Sequence, residues 1–155
     1  MRMTASVPQM NTPQLKDPVK RQAMTAPRQK GITPTEWKGM RAIMSHAEHT
    51  GVPRQTSLEK ALYACDEITG LITAVALVRP SRSLFDLEAS SVRKKWKDKA
   101  FAAGANREEI ARGAEEFGVP LWEHCGNVIE ALRKIAPQIG LVGNVTEKAL
   151  GLSTT

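Results

Sequence analysis

A carboxylate and two histidines are the side chains of this sequence best suited to metal-ion or acid–base chemistry. Asp66 lies in the longest apolar-periodic segment, from Ser57 to Pro80. On a helix it projects from the margin of the apolar side. A carboxylate there can face a cleft, although a half-solvated surface charge has the same pattern. His46 and His49 are three residues apart, so on a helix both can point to one side. Either histidine is a ligand or a solvated side chain, and both alternatives stay open.

A run of cationic residues is a second candidate for binding, here of an anion. It contains Arg93, Lys94, Lys95, Lys97 and Lys99. A dense cationic face attracts anions, but a solvated helix surface has the same composition. The sequence has no Gly-rich phosphate loop, nucleophile elbow or paired-cysteine motif. For Asp86 we predict a turn or helix-entry role. For His124, which has no acidic residue at useful spacing, we predict a structural or solvated role.

One long helix must position Asp66. The capping box Thr56-Ser57-Leu58-Glu59 predicts its start and Pro80 its end. The i, i+3, i+4, i+7 spacing predicts one buried stripe. Its members are Leu58, Ala61, Leu62, Cys65, Ile68, Ile72, Val75 and Ala76.

Four further helices are predicted around this one, approximately over residues 34–50, 90–104, 107–118 and 121–137. The helix predicted over residues 34–50 follows a capping box at Thr33, and the helix predicted over residues 107–118 is capped by Asn106. Their predicted inward residues are Trp37, Met40, Ile43 and Met44; Val92, Trp96, Ala100 and Phe101; Ile110, Ala114 and Phe117; and Leu121, Cys125, Val128, Ile129 and Leu132. The predicted fold is therefore an all-α bundle of about five helices.

The basic charge of the chain is concentrated at its N-terminus. Residues 1–34 account for +5 of the formal net charge of +6, and they contain few large apolar residues. Such a stretch buries too little surface to offset its ordering entropy. We predict a disordered basic tail over residues 1–34, a helical domain over 35–137 and a weakly ordered tail over 138–155. The remainder of the chain is nearly neutral, so a nucleic-acid partner would depend on the tail alone and ranks last.

Cysteine use and hydropathy suggest a cytoplasmic protein without a membrane partner. Cys65 and Cys125 form neither a disulfide framework nor a zinc motif. The longest uncharged apolar run, residues 68–78, is shorter than the ~20 residues of a bilayer span.

The segment YACDEITGLITAVALVRP, followed by SVRKKWKDKAFAAGANREEI, resembles the C-terminal half of bacterial HD-domain proteins, relatives of metal-dependent phosphohydrolases. The resemblance covers about residues 40–136. In that family the aspartate of a DELTG-like motif, here Asp66, is the last metal ligand of a pattern that reads H, then HD, then D. A histidine matching His46 lies near the metal site, and a lysine-rich helix lies near the cleft mouth. The first histidine and the His-Asp pair are missing, since this sequence contains no His-Asp dipeptide.

The resemblance implies a partial HD-like domain over residues 35–137, with Asp66 and His46 as ligands of a divalent Mn, Fe or Mg ion. It also implies that Lys94, Lys95 and Lys97 bind a phosphorylated small molecule. The expected function is a truncated HD-type phosphohydrolase, acting on a phosphate ester or nucleotide with weak or no activity. The alternative is a non-catalytic helical interaction module. Missing helices would leave apolar surface exposed on the central helix, so a homodimer or a covering partner is expected.

Overall fold

The computed structural model describes residues 31–144. The α-helices in this range are α1 (Pro34–His46), α2 (Ser57–Val78), α3 (Ala89–Trp96), α4 (Arg107–Phe117) and α5 (Leu121–Arg133), with a 3-10 helix at Glu48–Thr50. These residues contain no strand, so the prediction of an all-α fold with about five helices is confirmed. Predictions for residues 1–30 and 145–155 concern positions outside the described range. Backbone contacts divide the chain into two compact units between Arg54 and Gln55.

Helix α1 begins as its sequence predicts and ends earlier. Thr33 accepts a hydrogen bond from the Glu36 amide, and the Glu36 side chain bonds back to Thr33, which completes the capping box. The helix stops at His46, and Gly51 follows the 3-10 turn with a left-handed φ of 67°. The predicted inward side is wrong for Met40 and Ile43, because both are exposed and Ala42 and Ser45 are buried instead.

Helix α2 is the centre of the second unit and contacts α3, α4 and α5. It begins at the predicted capping box of Thr56 and Glu59, and Arg79 caps its C-terminal end. Its second half follows the predicted stripe, since Ile68, Ile72, Val75 and Ala76 are all buried. These residues pack in one apolar cluster with side chains of the loop before α3 and of α5.

The first half of α2 departs from the predicted stripe. Leu58 and Leu62 are exposed, whereas Tyr63 and Ala64 are buried. The reason is a close approach of α4, where a Cβ added to Gly113 would lie 2.9 Å from the Ala64 Cα atom. Helix α4 therefore covers the Tyr63 and Ala64 side of α2, and the two leucines turn outward.

The remaining helices are shorter than predicted, or the residues that they bury differ slightly from the predicted ones. Helix α3 ends at Trp96 because Asp98 accepts a hydrogen bond from the Phe101 amide and the chain turns. Ala100 is consequently exposed, and so is Phe117 at the end of α4, contrary to prediction. The predicted stripe of α5 is confirmed for Cys125, Val128, Ile129 and Leu132, all buried, and Leu121 is partly buried.

Two arginines form hydrogen bonds that hold the loop between α2 and α3 in place. Arg79 bonds to the Asp86 carboxylate at 2.8 Å and to the Ser91 hydroxyl at 3.2 Å. Arg133 donates to the main-chain oxygens of Leu84 and Leu87. Residues 141–144, which fall where weak order was predicted, bond to the same loop through their main chain.

Helix α2 is long and apolar enough to span a membrane by length and composition. A buried core helix meets the same criteria, and α2 packs against three other helices of its unit. Its hydropathy therefore agrees with its place in this core.

Candidate functional site

Asp66 lies on the side of α2 that faces solvent. Six residues of this side share one arc of the helix, as their spacing requires. We call the set the outer face of α2: Leu58, Leu62, Asp66, Gly70, Thr73 and Leu77. Asp66 is exposed, and Thr73 is partly buried. The three leucines are 52%, 37% and 51% exposed in chain order. The carboxylate therefore stands in an apolar strip rather than in a buried cleft.

The centre of the outer face is open. A Cβ built on Gly70 would meet no atom within 4 Å, so the other helices of the second unit do not cover this position. Small residues continue beside it, because Thr69 directs its hydroxyl to the Cys65 carbonyl oxygen rather than outward. The outer face of α2 therefore has a glycine near its middle and leucines towards both ends of the helix.

The predicted second ligand, His46, lies at the end of α1 in the first unit. Its Nδ1–H donates to the carbonyl oxygen of Ile43 at 2.8 Å. The side chain is partly buried, whereas His49 on the 3-10 turn is exposed. Whether His46 and Asp66 share a metal ion stays a prediction.

The described residues do not supply the ligand set that an HD-type metal site needs. Between residues 31 and 144, no group of three or more His, Cys, Asp or Glu side chains is arranged to hold a metal ion. Such a site takes three or four protein ligands. The thiols are poor replacements, because burial raises the pKa of Cys65 and raises that of Cys125 to about 11.

The predicted phosphate-binding lysines are all on the solvent side of α3 and its C-terminal turn. Lys94, Lys95 and Lys97 are exposed, and the Lys95 ammonium lies 5.2 Å from the centre of the Phe101 ring. Lys97 lines a cavity of about 440 Å³ together with Trp96, Lys99 and Arg107, while Lys94 and Lys95 do not line it. An adjoining cavity of about 390 Å³ shares Lys99 and Arg107. The sequence pattern singled out the cationic helix but missed Arg107.

Arg107 is mainly a structural residue of the loop between α3 and α4. Its guanidinium donates to the carbonyl oxygens of Phe101, Ala102 and Ala105 at 2.6 to 2.9 Å. Its Nε is buried and has no hydrogen-bond partner among the described residues. The guanidinium therefore closes the loop and also lines both cavities. This role in closing the loop could not be inferred from the spacing of the cations.

Two other candidate residues have clear structural roles. His124 is buried, and its Nε2–H donates to the Ala64 carbonyl oxygen at 2.9 Å, which joins α5 to α2. The Asp86 carboxylate accepts bonds from Arg79 and Ser81. Partial burial raises the pKa of Asp86, but these bonds and the Arg79 charge outweigh it, so the pKa lies below its ordinary value of 3.8.

No family model, curated protein or solved structure matches this chain.

Proposed function

We propose that this chain is a helical interaction module of HD-type ancestry that binds another polypeptide through the outer face of α2. The supporting observation is the apolar strip itself, in which Leu58, Leu62 and Leu77 remain about half exposed on a helix that is otherwise central to the core. Completing the burial of a half-exposed leucine contributes ~1 kcal/mol. Together the three side chains provide a driving force of ~3 kcal/mol for association, before its entropic cost.

The strip is better suited to a protein partner than to a small ligand. Its side chains lie along one helix, with an open glycine at the middle. An elongated apolar strip is the form that a partner helix recognises. By contrast, the two cavities described above border Lys99 and Arg107, which do not lie on α2.

Cysteine footprinting in intact cells tests this proposal. Leu62→Cys and Leu77→Cys are compared with Ile135→Cys and Ile139→Cys, which replace residues of similar exposure after α5. All four are made with Cys65→Ala, since Cys65 is only partly buried. We expect a membrane-permeant maleimide to label the two α2 positions several-fold more slowly in cells than in dilute purified protein. Equal labelling of all four positions in both settings would refute the proposal.

Phosphohydrolase activity is the second candidate, because Asp66 lies at the middle of the strip and a partner that covers α2 would meet its carboxylate. The residues missing from the motif, a histidine and a His-Asp pair, would then come from that partner. A divalent Mn, Fe or Mg ion would supply an activated water molecule and charge neutralisation at such a site. Asp66 would contribute one ligand, and the isolated chain would have little or no activity.

Metal content and phosphatase assays test the second candidate. The chain is isolated with its partner, and phosphate-ester hydrolysis is measured for the native protein, Asp66→Asn and Glu123→Gln. Glu123 is an exposed carboxylate on α5 and serves as the control. Activity lost in the first variant and retained in the second supports this candidate. A metal-free, inactive complex would exclude it and leave the interaction module standing.

A further inference from the structure

The outer face of α2 has an internal symmetry that points to its partner. Leu62 and Leu77 lie 15 residues apart, and their midpoint falls between Thr69 and Gly70. At 1.5 Å per residue the two leucines are about 22 Å apart along the helix. The residues at the midpoint are small, and Gly70 has no neighbour within 4 Å of a built Cβ. Leu62 and Leu77 therefore lie at equal distances from a central position that has small side chains.

From this arrangement, which rests on the proposed function, we infer that the partner is a second copy of the chain, with the two α2 helices packed antiparallel about Gly70. A twofold axis at the midpoint places Leu62 of one copy opposite Leu77 of the other, at both ends of the contact. The same axis places Gly70 opposite Thr69. Small residues at a crossing point let two helix backbones approach closely, as Gly113 does within this protein.

Charge favours this orientation over a parallel one. Asp66 is the charged member of the outer face, and a parallel pair would bring the two Asp66 carboxylates together. In the antiparallel pair each Asp66 lies opposite Thr73, whose hydroxyl can donate to the carboxylate. The two carboxylates are then about 10 Å apart along the axis, beyond the ~8 Å screening length at physiological ionic strength. Like-charge repulsion is thus largely avoided.

The size of the contact predicts a weak, concentration-dependent pair. A 22-residue helix is about 33 Å long, and a strip about 10 Å wide gives about 330 Å² per chain. This is well below the ~800 Å² per partner of a stable complex. The pairing is therefore best trapped covalently.

Disulfide trapping tests the inference on the full-length chain carrying Cys65→Ala. Gly70→Cys lies at the axis, and the open space there accommodates the new side chain. Asn127→Cys is the matched control, at an exposed helical position on α5. Under mild oxidation we expect Gly70→Cys to form covalent dimers at least fivefold faster than Asn127→Cys. Leu62→Cys alone should not cross-link above the control, whereas a mixture of Leu62→Cys and Leu77→Cys should give the mixed dimer. Circular dichroism confirms that each variant is folded.

Cross-linking of Leu62→Cys to itself as fast as Gly70→Cys would overturn the antiparallel arrangement. Cross-linking of Gly70→Cys no faster than the control would overturn self-pairing. If the footprint in cells nevertheless showed protection of Leu62, the proposed function would stand with a different protein as partner. If neither protection nor cross-linking occurred, both would fail.

Discussion

Replacement of Gly113 by alanine tests the close approach of α4 to α2 on which the exposed face depends. An alanine Cβ would lie 2.9 Å from the Ala64 Cα, 3.4 Å from the Tyr63 carbonyl oxygen and 3.5 Å from the Ala64 nitrogen. All three atoms belong to the backbone of α2, so no side-chain rotation relieves the contact. The two helices must move apart.

The expected cost follows from two opposing effects. Overpacking of a core contact costs about 1–3 kcal/mol, whereas alanine in place of glycine in a helix gains about 1 kcal/mol. We expect Gly113→Ala to lower the free energy of unfolding by ~1 kcal/mol. Gly126→Ala on α5, where the new Cβ meets no atom within 4 Å, should raise it by about 0.5–1 kcal/mol.

Urea unfolding followed by circular dichroism measures both variants. A difference of about 2 kcal/mol between them corresponds to a separation of about 1–2 M between their midpoints. If Gly113→Ala were as stable as Gly126→Ala, α4 would not approach α2 this closely. The reason given for the outward position of Leu58 and Leu62 would then be wrong.

Three further predictions concern the loop before α3, its pH dependence and the cationic helix. Arg133→Met should destabilise the protein by ~2 kcal/mol in urea unfolding, because the carbonyl oxygens of Leu84 and Leu87 lose a charged donor. Lys134→Met, at the exposed neighbouring position, should change stability by less than ~0.5 kcal/mol. Because the pKa of Asp86 is lowered on folding, its ionised form stabilises the protein above the ordinary value of 3.8, and this contribution is lost as the pH falls through the folded value. Asp86→Asn should thus be less stable than the native protein at pH 7 by at most ~1 kcal/mol, given the exposure of the pair. The difference should shrink as the pH falls below 3.8, and a pH-independent difference would contradict this assignment. Replacement of the Lys94, Lys95 and Lys97 side chains should weaken the binding of a phosphate ester, as measured by calorimetry. Lys97 should contribute most, because it lines the cavity. Unchanged binding would exclude a substrate-binding role for these lysines.

The helix starts were predictable from the sequence because their signals are local. Thr33 and Thr56 each bond to a glutamate three residues later, and Asn106 accepts from the amides of Glu108 and Glu109. These interactions form within one turn of helix. Their residue types and spacing were therefore sufficient.

The orientation of α2 depends on a residue far along the chain, and the end of α3 depends on two side chains that the apolar periodicity does not include. Leu62 and Tyr63 are both apolar, and the burial of Tyr63 follows from the approach of α4 at Gly113, far along the chain. Helix α3 stops before Gly104 because Asp98 turns the chain and Arg107 binds the carbonyl oxygens of the loop. Periodicity within one segment contains neither piece of information.

The capping box and periodicity predicted the helix that carries Asp66, but they did not predict that this side chain stands between exposed leucines on the solvent side. The expectation of exposed apolar surface on that helix came from helices missing relative to the HD family. The exposed leucines are in accord with it, whereas the metal site and the phosphohydrolase activity stay predictions. The spacing could not specify what lies opposite Asp66, since that depends on another polypeptide.

Photo-cross-linking in intact cells tests whether the outer face of α2 binds another polypeptide. Benzoylphenylalanine is placed at Leu62, on the outer face, and at Ile135, an apolar residue of similar exposure after α5. The proposed function predicts a discrete covalent product from position 62 and little or none from position 135. Self-pairing further predicts that this product contains two 17.0 kDa chains. Absence of any product from position 62, or equal products from both positions, would contradict the assignment of α2 as the binding surface.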